Sequence, residues 1–149
     1  MTKLTEHFTL EEFCATIHTE FLAKNLEYGK SKQGTLLVLA RFMEKVRRLL
    51  GDVPIIINSA VRCPELNKAV GGATTSQHCL CQAVDFTPTN HSLEEAVEIL
   101  RKYLPMWGQI ILERAGGKKW LHISLGYRHR PLNKCKQVLK YDGKNYINI

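Results

Sequence analysis

Two tight-turn signals in the last third of the chain constrain its fold more than any other feature. Ala115-Gly-Gly117 separates Gly108-Gln-Ile-Ile-Leu-Glu113 from Lys119-Trp-Leu-His-Ile-Ser-Leu125, and Asp142-Gly143 separates Lys136–Tyr141 from Asn145–Ile149. Strand-like runs joined by so short a turn pair antiparallel, because a parallel return needs a crossover of about a dozen residues. The first part of the chain carries helical signals instead. Thr9-Leu-Glu-Glu12 is a capping-box pattern that predicts a helix through about His18. Leu36, Leu39, Met43, Val46 and Leu50 form one stripe of a helix from about Thr35 to Leu50, with Arg41, Lys45 and Arg48 outside it. Gly51-Asp52 ends that helix, and Val53–Asn58 has the continuous apolar look of a buried strand. A short helix fits Pro64 to about Val70, strand character resumes at Ala83–Thr87, and Ser92-Leu-Glu-Glu95 opens a second capped helix ended by Pro105. Helices first and strands afterwards predict an α+β class, with N-terminal helices packed on a mostly antiparallel sheet and a C-terminal β-hairpin.

At 149 residues, with 44% hydrophobic and 23% charged side chains, the chain can bury one ordinary core, which excludes disorder and fibrous repeats. The expected organisation is a single domain, its core about 5–127, followed by a basic hairpin at 128–149. No apolar run reaches the roughly 18 residues of a membrane span. The Met1–Phe8 start has no apolar stretch with a small-residue cleavage site, so a soluble protein made in a cytoplasm without a signal peptide is expected. The net charge of +7 favours a polyanionic partner, whether nucleic acid, anionic lipid or a cell wall, without choosing among them. Arg128, Arg130, Lys134, Lys136, Lys140 and Lys144 make the tail basic, but no nucleic-acid motif accompanies them, and a solvated face is the commoner meaning. Five scattered cysteines in a chain without a secretion signal are expected to be reduced thiols.

The chain is least regular from Ser59 to Gln82, and with the strand that follows, Ser59–Thr87 is the first place to look for chemistry. Ser76-Gln-His78 is followed seven positions later by Asp85. Alternation puts Ala83, Asp85 and Thr87 on one face of their strand, and Trp120, His122 and Ser124 on one face of a later one. Each of these residues alone has an ordinary structural role: a loop histidine, a turn acceptor, a half-buried strand histidine. Together, two imidazoles and a carboxylate suit zinc, and three protein ligands leave the open fourth position that catalytic zinc requires. Cys79 and Cys81 flank His78, but Cys-x-Cys is shorter than structural-zinc spacing and no second pair exists, so they read as small fillers, Cys79 the more oxidisable.

The pattern Ser76-x-His78-x6-Asp85 followed by Trp120-x-His122-x-Ser124 resembles the zinc D-alanyl-D-alanine peptidases (peptidase M15-like), which cleave peptidoglycan peptides and share a fold with the hedgehog signalling domain. Ile55–Gly72, His7–Phe13 and Gln109–Glu113 resemble further stretches of that family, and Lys136–Gly143 resembles the tail of its small phage and prophage members, so the likeness covers nearly the whole chain. The resemblance implies a zinc metallopeptidase hydrolysing a bond in cell-wall stem peptides, as a D-Ala-D-Ala carboxypeptidase or an endolysin-like endopeptidase. It implies His78, Asp85 and His122 as Zn2+ ligands and Arg62 as the group facing the substrate carbonyl or carboxylate. Ser76, Gln77 and Trp120 would lie against the substrate, the first two chiefly shaping the loop. A phage or prophage protein would reach the wall after lysis or from the virion.

Two positions depart from the family pattern. Cys81 stands where a glycine is usual, which strains the backbone if the residue is left-handed, and Lys119 stands where several subgroups have a carboxylate. A lysine cation cannot accept a proton, so the general base falls to Glu113, at the strand end on the face of Gln109 and Ile111. Glu113 would otherwise be an exposed residue paired with Arg114 or Lys118. The alternative function is a non-catalytic zinc-binding module that holds a peptide or glycan in the same cleft.

Overall fold

The computed structural model describes residues 1–149 and is α+β. Five α-helices are present: α1 (Leu10–Cys14), α2 (Leu22–Ser31), α3 (Gln33–Leu49), α4 (Pro64–Ala69) and α5 (Leu93–Tyr103). The strands are β1 (Ile55–Ser59), β2 (Ala83–Pro88), β3 (Gln109–Ala115), β4 (Lys118–Ser124), β5 (Gln137–Tyr141) and β6 (Tyr146–Asn148). They form one mostly antiparallel sheet in the order β1-β2-β4-β3-β5-β6. No helix is long and apolar enough to cross a membrane. Contacts divide the chain into two units, Met1–Glu44 with Ile57–Val84, and Lys45–Ile56 with Asp85–Ile149.

In the first unit α1 is capped by Thr9, whose hydroxyl accepts from the Glu12 amide at 3.1 Å. Glu12 Oε1 is buried without a partner. The helix also stops at Cys14, four residues short of the expected end. Its last carbonyls are taken by other segments: Val61 N donates to Phe13 O at 2.8 Å, and Asn25 Nδ2 donates to Cys14 O at 2.8 Å. Ile17 is 87% exposed, so a longer helix would bury nothing in return. Phe8 and Phe13, with ring centroids 5.6 Å apart, join Leu10, Leu36 and Leu39 in the core.

Helix α2 has no clear signal in the sequence. Its buried face is made of Asn25 and Gly29, a polar residue and a glycine, so the apolar period that announces a helix is missing. The α3 stripe falls as its spacing predicts, with Leu36, Leu39, Met43, Val46 and Leu50 fully buried and Arg41, Lys45 and Arg48 exposed. Strand β1 departs from expectation: it starts at Ile55, alternates in burial and leaves Ile56 54% exposed. It is an edge strand, so its apolar run is not covered on both faces.

In the second unit Ser92 completes a full capping box with Glu95 at the start of α5, which packs on β3 through the side bearing Ala96, Val97 and Leu100. The β3–β4 hairpin turns on Gly116 (φ 55°) and Gly117 (φ 77°), the two left-handed residues a type I′ turn demands. Strand β5 runs parallel to β3, and β6 returns antiparallel to β5.

A methyl group on Gly29 would collide with the buried Cys14 Sγ, whereas one on Gly34 in α3 would meet nothing within 4 Å. Gly29→Ala is therefore expected to cost about 1–3 kcal/mol by overpacking. Gly34→Ala should instead gain about 0.4–1 kcal/mol by restricting the unfolded chain. Urea denaturation of the two variants measures both, and equal effects would contradict the packing around Gly29.

Candidate metal centre

The loop that carries the first histidine is held by one face of α2. Asn25, fully buried, donates to Val61 O at 2.9 Å and accepts from Cys63 N at 2.8 Å, bracketing Arg62. Tyr28, one turn further on, donates its hydroxyl to Cys79 O beside His78. Within the loop Ser76 Oγ accepts from His78 N at 3.2 Å, and Gln82 N donates to Gln77 O at 2.8 Å, so Ser76 and the buried Gln77 both shape the turn. His78 is buried, and its Nδ1 lies 2.8 Å from Ala60 O. A carbonyl only accepts, so Nδ1 carries the proton and the lone pair sits on Nε2, the tautomer of a metal-ligating imidazole.

Arg62 is half-buried and donates through Nη1 to Asn67 Oδ1 at 3.2 Å rather than pairing with Glu65. Asn67 is itself fixed by donating to Gly72 O at 3.4 Å and Ala73 O at 3.0 Å. A side chain at Gly72 would run into Asn67 Oδ1 and come within 2.9 Å of Arg62 Nη1, so glycine leaves the room for this contact. Asn67 is a positioning residue that sequence reasoning passed over. It lay inside the quoted Ile55–Gly72 stretch, and its type suits a turn acceptor as well as a guanidinium support.

In the second unit Asp85 sits in the middle of β2 and His122 in β4, with side chains 13% and 11% exposed. His122 Nδ1 lies 3.0 Å from Asp85 Oδ1 and 3.9 Å from Glu113 Oε1. The β3–β4 register explains the second approach: Glu113 faces Trp120, and Ile111 faces His122, so all four share one side of the hairpin. The Trp120 indole N–H beside them is buried with no acceptor. Lys119 pairs with Arg114 on the opposite side and is exposed, so position as well as charge removes it from proton transfer.

His78, Asp85 and His122 each offer one ligand atom and make a group that could hold a metal ion. Two nitrogens and a carboxylate oxygen suit a divalent cation, and tetrahedral zinc with bonds of about 2.0–2.1 Å sets its ligand atoms about 3.3 Å apart, close to the spacing of His122 Nδ1 and Asp85 Oδ1. The residues fit the metal. The cysteines stand outside this group. Burial pushes the Cys81 thiol up to about 11 and raises that of Cys79, which keeps both protonated at neutral pH and poor ligands. Cys81 is also left-handed at φ 57°, so the strain its sequence position raised is present, about 1–2 kcal/mol for a residue with a Cβ.

A family model described as Peptidase M15 matches residues 6–124. No curated protein matches the chain.

His122→Ala is expected to lose most of its zinc, because two remaining ligands make too weak a cage. The double variant Cys79→Ser and Cys81→Ser should keep it. Zinc content after equilibrium dialysis decides: full occupancy without His122 would remove it from the ligand set, and loss in the double variant would bring the thiols in.

Proposed function

Because the chain belongs to the peptidase M15 family, whose members are metal-dependent peptidases, we propose that it is a zinc enzyme hydrolysing a peptide bond in bacterial cell-wall stem peptides, as a D-Ala-D-Ala carboxypeptidase or an endopeptidase. The observation that carries this reading is Glu113 Oε1 at 3.9 Å from Nδ1 of His122, one of the three residues that could hold a metal. A bound zinc would supply Lewis acidity, polarising the scissile carbonyl and making water more acidic. Glu113 takes the proton of the attacking water and returns it to the departing amine. Arg62, its guanidinium steadied by Asn67, donates to the substrate carbonyl or carboxylate as negative charge develops there. Trp120 flanks the base, and Ser76 and Gln77 hold the loop of His78. The net charge of +7 suits an anionic wall, and the likeness of Lys136–Gly143 to small phage members supports a phage or prophage protein acting after lysis or from the virion.

The second reading, a zinc module that binds without cutting, draws on Lys119 and the strained Cys81. Digestion of defined muropeptides with mass detection separates the two, since bound zinc without any cleavage would favour the module. Glu113→Gln should keep zinc and cleave at least about a hundredfold more slowly, in the 10²–10⁴ range of a lost general base. A variant as fast as the parent would move that role elsewhere. Arg62→Lys should also keep zinc but turn over about 10–100-fold more slowly, short of the 10²–10³ that outright loss of an oxyanion donor costs. Unchanged turnover would make Arg62 a surface residue.

A further inference from the structure

The C-terminal hairpin lies outside the residues matched by the family model, yet its register carries it to the catalytic side of the sheet. Glu113 pairs with Tyr141 across the parallel β3–β5 ladder, and Tyr141 pairs with Tyr146 across β5–β6. Trp120, Glu113, Tyr141 and Tyr146 thus form one transverse row on a single face, beside the row that holds His122. The two tyrosine rings are stacked, with centroids 4.5 Å apart and planes at 27°, and Tyr146 is 59% exposed. The hairpin that presents them is braced: Asp142 Oδ1 accepts from Lys144 N and Asn145 N at 2.9 Å each, and Arg101 Nη1 donates to Ile149 O at 3.1 Å. Desolvation raises the Tyr146 phenol above its ordinary range, and the negative charges of Glu113, Tyr141 and Asp85 push the same way, which places the hydroxyl in the field of the site carboxylates.

We propose that Tyr141 and Tyr146 form a substrate shelf that binds an extended peptide on one side of the scissile bond, so that the enzyme reads several residues beyond the bond it cuts. This inference rests on the peptidase reading above. Strands lie about 4.8 Å apart, so β6 is about 10 Å from the strand of Glu113 and about 14 Å from that of His122. An extended peptide rises about 3.3 Å per residue, so the shelf meets a chain about three or four residues from the bond. A flat aromatic pair suits such a backbone, offering ring faces for contact. Aromatic stacking within a hairpin needs only the Tyr141–Tyr146 pair itself. The added Glu113–Trp120 continuation makes the row part of the site.

The test uses two peptide series built on one D-Ala–D-Ala link, one lengthened from the amino side and one from the carboxyl side. With the wild-type protein, one series should show KM falling with length while kcat stays level. Tyr146→Ala should abolish that gain, raising KM about five- to tenfold for the long peptides and leaving D-Ala–D-Ala itself unchanged, as expected for a lost aromatic contact. Tyr146→Phe should preserve it. Tyr146→Thr keeps β-strand propensity without the ring and guards against a frayed hairpin. If length improves KM in neither series, or the gain survives both Tyr146→Ala and Tyr146→Thr, the shelf is overturned while the peptidase stands. If both variants weaken short and long peptides alike, Tyr146 serves only the hairpin and the shelf is again overturned. If the wild type cuts no peptide of either series, cleavage at a D-Ala–D-Ala link is excluded, and titration calorimetry of the same peptides decides the shelf: a Tyr146-dependent gain with length upholds it, and none rejects it.

Discussion

Three hydrogen bonds of one buried amide hold the first unit in working order. Asn25 gives both its donors to Cys14 O and Val61 O and its acceptor to Cys63 N, so a fully buried polar group is satisfied on every side. An amide left unsatisfied at that depth costs about 1–3 kcal/mol, so the three partners stand or fall together. They tie the end of α1 to the backbone on either side of Arg62, and Arg62 N in turn donates to His78 O at 3.3 Å. From the same helix face Tyr28 reaches Cys79 O, and Gly29 lets Cys14 approach closely. The irregular loop needs this support because it has little regular structure of its own, only the six residues of α4. The helix acts as a template that replaces the missing ladder.

The second unit uses alternation instead of an amide clamp. Along β3 and β4 the side chains divide cleanly. Ile110, Leu112, Leu121 and Ile123 go to one face and are buried, while Ile111, Glu113, Trp120 and His122 go to the other. The same rule sends Lys119 and Arg114 away from Glu113. Two like charges facing each other across strands are mildly unfavourable, and they point away from the side that carries Glu113.

What the sequence made readable follows the same division. Strand alternation puts Glu113 on the face of Gln109 and Ile111 and puts Trp120, His122 and Ser124 on one face of the next strand, and the hairpin register brings Glu113, Trp120 and His122 to the same side. The full capping box at Ser92 was equally plain, since both partners are local. Helix α2 was hidden because its inward residues are an asparagine and a glycine, chosen for hydrogen bonding and closeness rather than hydrophobicity. The shortened α1 and the one-sided β1 were hidden for another reason: where each ends, or which face it covers, depends on partners tens of residues away, such as Val61 for Phe13. The positioning role of Asn67 and the row ending at Tyr146 belong to that class too, the latter because a parallel β3–β5 register leaves no mark in a local pattern.

The glycine turn also sets a clock. Glu113 and His122 are nine positions apart on two strands joined by a two-residue turn, so their approach is a hairpin closure, an event of about 1–10 μs. Asp85 is 37 positions from His122, and the loop that must close to join them carries a larger entropic cost. Glu113 and His122 are thus set together by local chain dynamics, whereas Asp85 joins His122 only with long-range strand assembly. The Asp85–His122 contact therefore forms late in folding, after Glu113 and His122 have been brought together.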